Sequence, residues 1–590
     1  MKKNRIVIPL IFIMGLSAVL AGCDSSKSTT SEKELEKMTS LELVEIMGNG
    51  TNLGNTMEAY GHKEIGVDAD VSEYETIWGQ PITTPEMFVA MKEAGFDSVR
   101  IPVAWTNTMD YENGDYTIAP AYLDRVEEIV NYALDADLFV VFNDHWDGGW
   151  WGMFGSATPE TREAAMDLYV SMWSQIAERF KDYSYKVIFE SANEELGNRL
   201  NDVDVARDSG TLSEDECYAM NTVINQAFVD TIRKSGGKNE NRFLLIAGYN
   251  TDIQKTCDDR FQMPTDTAEN KLLLSVHYYT PWSYCGTSGV ASWGSEKNYN
   301  TQNDLLAMMT KYTEQGYGII FGEFAVLPKA DGTLKNNTTD FIGNFLDNCD
   351  LYGYVPMLWD TNSFFSKDEL KLVDDGLADL YKQRSLSAQS GYTLEQVKEN
   401  AKASMDASLA QAIINDANAP EIAMPADDTA IAWIMFNSID YSVTYSVGDL
   451  YDPTLKTEGV VAVDAKIDGA GEYTVSLDFT GTAAGFADST SFSALGISNG
   501  ELLYPGYLIT ITEILINGEP YKIKGIPYTT ADDEICTRVN LYNEWVSEIP
   551  PEARCANDNM RPALSATIID KNTLGEIKTI SITFVYEPMN

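Results

Sequence analysis

From residue 50 to residue 360 the chain alternates short, continuous apolar runs with longer stretches of helical periodicity. The runs fall at 50–53, 98–102 (SVRIP), 138–143 (LFVVFN), 186–190 (KVIFE), 243–247 (FLLIA), 272–277 (LLLSVH), 318–322 (GIIFG) and 354–359 (YVPMLW). Unbroken apolar character over this length suits parallel strands buried on both faces. Between them, 85–94 (PEMFVAMKEA), 122–134 and 164–180 place apolar residues at helical spacing. Eight such β/α units in one segment predict a (β/α)8 barrel. An open doubly wound sheet is the rival, but no glycine-rich phosphate loop follows the first run.

The pattern changes twice beyond the barrel. Residues 365–380 read as the eighth helix, and 385–416 as a polar helical stretch that is either packed on the barrel or a spacer. Residues 415–428 (NDANAPEIAMPADD) have linker composition. From 429 onward short alternating runs with turn residues between them predict an all-β sandwich. Strands are expected at 431–436, 459–467, 472–479, 507–516, 521–526 and 577–586, with a hairpin turn at Asn517-Gly518. The fold expected is therefore α/β, a TIM barrel over residues 41–382, a helical extension and linker over 383–428, and a sandwich over 429–590.

The first residues read as an address label. Lys2, Lys3 and Arg5 precede an apolar stretch, 6–20, too short to span a bilayer comfortably, and it ends in LAGC at Cys23. This resembles the lipobox of bacterial lipoproteins. Residues 1–22 are then a signal peptide, Cys23 is the lipidated residue, and the polar stretch 23–40 is a tether. The expectation is a lipid-anchored protein displayed outside the cell, touching the membrane only through that anchor. Export permits disulfides, and Cys536 with Cys555 is a candidate pair against buried thiols.

Composition narrows the partners. With 89 acidic against 42 basic residues the formal charge is −47, which disfavours nucleic acid and leaves neutral polysaccharides unaffected. Only three histidines occur among 590 residues, so no histidine-rich metal site is expected, and no cofactor. A monomer is expected.

In a barrel of this kind the chemistry sits where strands end. Those ends carry Arg100, then Asn143-Asp144-His145-Trp146, Glu190 through Glu194, His277-Tyr278-Tyr279, Glu323, and Trp359-Asp360. Glu194 and Glu323, on the fourth and seventh strands, face each other across the mouth. A glycosidase needs such a pair, one acid for the leaving oxygen and one nucleophile on the other side of the sugar.

The barrel closely resembles glycoside hydrolase family 5, in particular the endo-β-glucanases of its subfamily 4. The resemblance is carried by GTNLGNT (50–56), ETIWGQP (75–81), SVRIP (98–102), FESANE (189–194), HYYTP (277–281) and FGEF (321–324), in the family's order. It implies a retaining endo-β-1,4-glucanase acting on cellulose-like, mixed-linkage or branched β-glucans, with Glu194 as acid/base and Glu323 as nucleophile. Glu194 should then sit where its proton is held. Arg100 and Tyr279 should keep Glu323 ionised, Asn193 should bind the sugar 2-hydroxyl, and Trp359 should lie under the −1 sugar. His145 and His277 should bind hydroxyls or relay protons. Trp146, Glu195 and Ala325 stand where many relatives have His, Pro and Gly. Trp150 and Trp151 in the third βα loop are candidate sugar-stacking residues, with Trp78, Trp105 and Trp282 in or near other loops. His62 has no motif around it and reads as a surface residue. The sandwich is a candidate carbohydrate-binding module, with Tyr542 and Trp545 as platforms. The alternatives are a capture lipoprotein that binds glucan without cutting it or, within the enzyme class, a xyloglucanase or mannanase.

Overall fold

The computed structural model describes residues 30–202, 210–286, 293–329, 332–418, 429–439, 442–446, 451, 455–532, 535–546, 549–550 and 552–589. The signal peptide, Cys23 and most of the linker lie outside the described residues.

Two short helices open the described chain, α1 (Glu32–Lys37) and α2 (Ser40–Val44). They lie under the barrel: Leu35, Leu43, Val44 and Met47 pack against Val141, Ile188, Leu245 and Met357. Lys271 Nζ donates to the carbonyls of Glu36 (2.7 Å) and Met38 (2.5 Å). The tether expected over 23–40 is thus already structured from Glu32. Leu35, isolated in a polar sequence, is the residue that anchors it.

Eight parallel strands close the barrel in sequential order: β1 (Gly50–Asn52), β2 (Ser98–Ile101), β3 (Phe139–Phe142), β4 (Val187–Glu190), β5 (Leu244–Ala247), β6 (Leu272–Tyr278), β7 (Gly318–Phe324) and β8 (Tyr354–Leu358). The expected (β/α)8 barrel is therefore the fold. Alternate residues point to opposite faces. Val141, Ile188, Leu245 and Ile320 fill the lower barrel interior, while Val140, Phe189, Leu244 and Phe321 pack under the outer helices. Both faces are dry, which is why the strands read as continuous apolar runs.

The larger outer helices are α3 (Pro85–Ala94), α4 (Pro120–Asp135), α5 (Pro159–Phe180), α6 (Glu214–Lys234), α7 (Glu296–Ala307), α8 (Thr338–Tyr352) and α9 (Asp375–Arg384). Three begin with proline in the first turn, where the missing N–H removes an unpaired donor. In α6 Ser213 and Glu216 form a reciprocal capping box. Helix α3 stops at Gly95, whose φ is +107° and where a Cβ would stand 2.6 Å from the Tyr381 carbonyl oxygen. Only glycine satisfies both conditions.

The eighth helix does not begin at 365. Asp360 accepts hydrogen bonds from the backbone N–H groups of Ser363 (2.8 Å), Phe364 (2.8 Å) and Phe365 (3.2 Å), folding the chain back. A small hairpin of Phe365–Ser366 with Lys371–Leu372 follows, and α9 starts only at Asp375. Helix α10 (Leu394–Asn418) runs against α7 and α8, burying Ala401, Met405 and Ala412. The stretch after the barrel is therefore an extension of it.

The C-terminal part is β-rich, with two antiparallel sheets. One runs Thr444–Tyr445, Ala430–Asn437, Phe492–Ser498, Cys536–Tyr542, Thr530–Asp532; the other runs Val461–Val463, Gly471–Asp478, Thr579–Pro588, Tyr507–Ile516, Glu519–Pro520. Phe436, Leu495, Val539, Ile582 and Phe584 belong to their common core. Asn517 (φ +54°) and Gly518 (φ +82°) make the expected two-residue hairpin turn. The strand expected at 521–526 is irregular, while Phe492–Ser498 and Cys536–Tyr542 carry no alternation because most of their residues are buried. Cys536 and Cys555 are not bonded to each other.

Candidate active site

The mouth of the barrel is organised around Arg100, a fully buried cation at the end of β2. Its Nε donates to Glu190 (2.7 Å), Nη1 to Glu323 (2.9 Å) and to Asn52 (3.0 Å), and Nη2 to Asn193 (2.8 Å). One guanidinium thus ties together the ends of β1, β4 and β7. Glu190 is itself fully buried and accepts a second hydrogen bond from Ser275 Oγ (2.7 Å). Burying a charge is tolerated only where it is paired and hydrogen-bonded, and this network meets that condition. The facing carboxylates hold Arg100 charged, raised above its ordinary value against the opposing effect of burial.

β-bulges aim the next groups. The register between β6 and β7 shifts at Val276/His277, and that between β7 and β8 shifts between Phe321 and Phe324. A bulge turns a side chain off its strand's alternation. Here His277 pairs with Glu323, and Nδ1 of His277 reaches Glu194 Oε1 at 2.9 Å and Glu323 Oε2 at 3.6 Å. One carboxylate oxygen of each glutamate and a nitrogen of His277 all lie within 4.8 Å of one another. The hydroxyl of Tyr279 donates to Glu323 Oε2 (3.0 Å). Glu323 is 6% exposed, whereas the Glu194 side chain is 27% exposed.

Glu194 is held from its backbone. Asn250 Nδ2 donates to the Glu194 carbonyl (2.6 Å) while its Oδ1 accepts from the Asn198 N–H (3.0 Å). Asn250 and Thr251 both adopt left-handed φ (+47° and +51°), costly for a β-branched threonine and indicative of a constrained site. A cavity of about 240 Å³ opens beside Glu194, bounded by Asn250, Asp252, Gln254, His277, Tyr279 and Leu305. His145 stacks on Trp359, with ring centroids 5.7 Å apart and planes 8° from parallel. Burial, then Arg100, pushes His145 well below its ordinary value.

The charge balance between the two glutamates departs from expectation. Burial pushes Glu323 up; His277 and Arg100 pull it down, the facing Glu194 carboxylate adds to the rise, and the net direction is upward. Burial also pushes Glu194 up, but the His277 hydrogen bond, with Arg199 and Arg100, more than offsets it and leaves the carboxyl below its ordinary value. The His277 contact thus works against the proton that an acid at this position must carry.

Several expected residues converge: Arg100, Asn193, Glu194, His277, Tyr279 and Glu323 form one connected set, with His145 and Trp359 as a stacked pair. Trp150 and Trp151 do not join it. Both are fully buried, stacked on each other at 4.4 Å, and pack on Phe154 and Tyr169. Trp105 is likewise buried, with its N–H on the Asn143 carbonyl (2.8 Å), while Trp78 and Trp282 are exposed. His62 is half-buried rather than fully exposed: its ring meets Tyr111 edge-on and lies against Gly148, where a Cβ would stand 2.8 Å away. Tyr542 is buried and holds Glu544, while Trp545 is 60% exposed.

Sequence reasoning missed the roles of Glu190, Asn52, Asn250 and Arg199. A charged residue closing an apolar strand was the available signal for Glu190; for Asn250 and Arg199, on loops, there was none.

A parallel barrel with paired carboxylates and a stacked indole at its C-terminal mouth defines a carbohydrate hydrolase. The family model for cellulase (glycosyl hydrolase family 5) matches residues 59–365. The chain belongs to that family. It is 30% identical over 387 residues to endoglucanase A of Paenibacillus barcinonensis, covering 61% of this chain and 90% of the relative. It is 33% identical over 345 residues to the xyloglucan-specific endo-beta-1,4-glucanase BoGH5A of Bacteroides ovatus, covering 55% and 66%. Among solved structures, a GH5-4 broad specificity endoglucanase from an uncultured bovine rumen ciliate superimposes with a TM-score of 0.51 at 30% identity, over 60% of this chain and 99% of that one. The protein is a glycoside hydrolase with endo-β-1,4-glycosidase relatives.

Proposed function

We propose that this chain is a retaining endo-β-1,4-glucanase in which Glu323 is the nucleophile and Glu194 the acid/base. The observation that carries the reading is how close the two carboxyls stand: one oxygen of each lies within 4.8 Å of the other, which fits the close pair of a double displacement better than the wider gap that an inverting site needs for its water. The neighbours of Glu323 fit its role, since Arg100 and Tyr279 both donate to it. In the first step a Glu323 oxygen bonds to the anomeric carbon as the bond to the leaving oxygen breaks, and that oxygen takes the proton of Glu194. In the second, water attacks the anomeric carbon, Glu194 takes the water's proton, and the ester to Glu323 is released. A sugar in the mouth removes water from Glu194, and burial is the influence that raises this carboxyl, so binding itself favours its protonated form.

Asn193, oriented by Arg100, is suited to the 2-hydroxyl, and Trp359 to the apolar face of the −1 sugar. The cavity bounded by Asn250 and Gln254 is suited to a sugar on the leaving-group side. Neutral β-1,4-glucans, mixed-linkage and branched chains included, are the substrate class. The proposal extends to a signal peptide over 1–22, a lipid anchor at Cys23, display outside the cell as a monomer, and a glucan-binding role for the sandwich with Trp545 as a platform.

The test is hydrolysis of barley β-glucan, carboxymethylcellulose, xyloglucan, glucomannan and xylan by residues 24–590, with Glu323→Gln beside it and NMR of the first product. Cleavage of β-1,4-glucans releasing the β-anomer, abolished in Glu323→Gln with binding kept, is expected. An α-anomer, or full activity in Glu323→Gln, overturns the assignment, and binding with no cleavage favours a capture protein.

A further inference from the structure

Arg199 is the one cation within 4 Å of Glu194 that does not belong to a barrel strand, among the described residues. Its Nη1 lies 3.4 Å from Glu194 Oε2, on the side of the carboxyl away from His277, which holds Oε1. Its guanidinium carbon lies 5.4 Å from the ring centre of Trp146, over the indole. The two contacts come from different loops, one after β4 and one after β3.

The loop carrying Arg199 is fixed to the acid itself. A 3₁₀ turn, Asn198–Asn201, follows Glu194 directly, with Leu200 fully buried beneath it. Asn250 clamps the Glu194 carbonyl and the Asn198 N–H with one side chain. At Gly197 a Cβ would stand 2.2 Å from Asn250 Oδ1, so the clamp closes only over glycine. Arg199 is thus delivered to Glu194 by a braced turn, although its own side chain is 44% exposed.

We propose that Arg199, braced on the Trp146 indole, is a positioning residue that orients the Glu194 carboxyl toward the barrel centre and supplies the counter-charge for its ionised state. The proposal rests on the reading of Glu194 as acid/base. That residue must alternate between acid and base in one catalytic cycle. It ends the first step as a carboxylate, and it must begin the second step as one. A cation on its outer oxygen favours both. The other titratable or charged groups facing Glu194 are His277 from β6, Arg100 from β2, Glu323 from β7, Tyr279 after β6, Asp252 on the wall of the adjoining cavity and Glu195 from its own loop. None of them both touches Glu194 and lies on its solvent side, and His145, in the loop after β3, also feels the charge of Arg199.

The test uses residues 24–590 with Arg199→Leu and Arg199→Lys. The readouts are the pH profile of kcat/KM on soluble β-glucan and kcat on 2,4-dinitrophenyl β-cellobioside, whose good leaving group makes the second step limiting. In Arg199→Leu the alkaline limb should move to higher pH, because a removed counter-charge makes the proton harder to lose, and kcat on the dinitrophenyl substrate should fall severalfold. Arg199→Lys should restore most of both. An alkaline limb that stays in place in Arg199→Leu, with an unchanged melting midpoint, overturns the proposal. Azide distinguishes this from failure of the underlying reading: Glu194→Ala should be rescued on the dinitrophenyl substrate with release of β-cellobiosyl azide. Absence of that rescue sinks the acid/base assignment, whatever Arg199 does.

Discussion

Arg100 Nη1 stands 2.9 Å from Glu323 Oε1, and the two side chains are 0% and 7% exposed. The same guanidinium satisfies Glu190, which has no exposure at all. Removing the cation therefore strands two buried carboxyls at once. Arg100→Leu is expected to lose about 3–5 kcal/mol of stability. Arg100→Lys keeps the charge but not the fork, and should lose about 10²–10³ in kcat with a smaller loss of stability. Urea unfolding and steady-state kinetics on soluble β-glucan check both.

With Glu323 as the proposed nucleophile, Tyr279 is expected to set the acidic side of the pH profile. Its hydroxyl donates to Glu323 and lowers that carboxyl, which is otherwise raised by burial. The nucleophile must be ionised, so loss of the donor delays ionisation. Tyr279→Phe should move the acidic limb of kcat/KM to higher pH and leave the alkaline limb where it is. A profile of both limbs measured side by side reads this directly.

Glu195 is fully buried, and burial pushes it up to about 7. Its ordinary value is 4.5. Between those values the folded protein binds a proton that the unfolded chain has released, so stability falls as pH rises through this window. The expected loss is about 3 kcal/mol across the window. Glu195→Gln should flatten that slope while Asn193 keeps its hydrogen-bond acceptor (the Asn193 N–H lies 2.9 Å from Glu195 Oε2). Urea midpoints at several pH values between about 4.5 and 7 measure the difference.

Trp150 and Trp359 separate packing from the proposed substrate contact. Trp150→Ala removes a fully buried indole and should cost about 3–5 kcal/mol, with KM unchanged in the folded fraction. Trp359→Ala exposes the face of His145 and removes the platform proposed for the −1 sugar, and should lower kcat/KM strongly with little change in the melting midpoint. Calorimetry and kinetics on the same two variants test the contrast.

The sequence by itself determined the barrel and most of its mouth. Strands buried on both faces must be apolar throughout, so the runs showed them, and the polar residues that interrupt or end those runs had to be there for the site. Arg100, Glu194, His277 and Glu323 were legible for that reason. Tertiary structure alone decided what the loops do. An indole in a glycine-rich loop packs inward or faces a sugar depending on what the rest of the fold brings against it, and Tyr169 on the following helix, with Phe154 of the same loop, drew Trp150 and Trp151 inward. Leu35 turned a polar lead-in into a helix under the barrel, and Asp360 turned the expected start of a helix into a hairpin. The charge balance of the two glutamates was equally hidden, because it depends on which of them His277 and Arg199 reach. Periodicity records how each segment meets water, whereas these outcomes depend on which side chains meet each other.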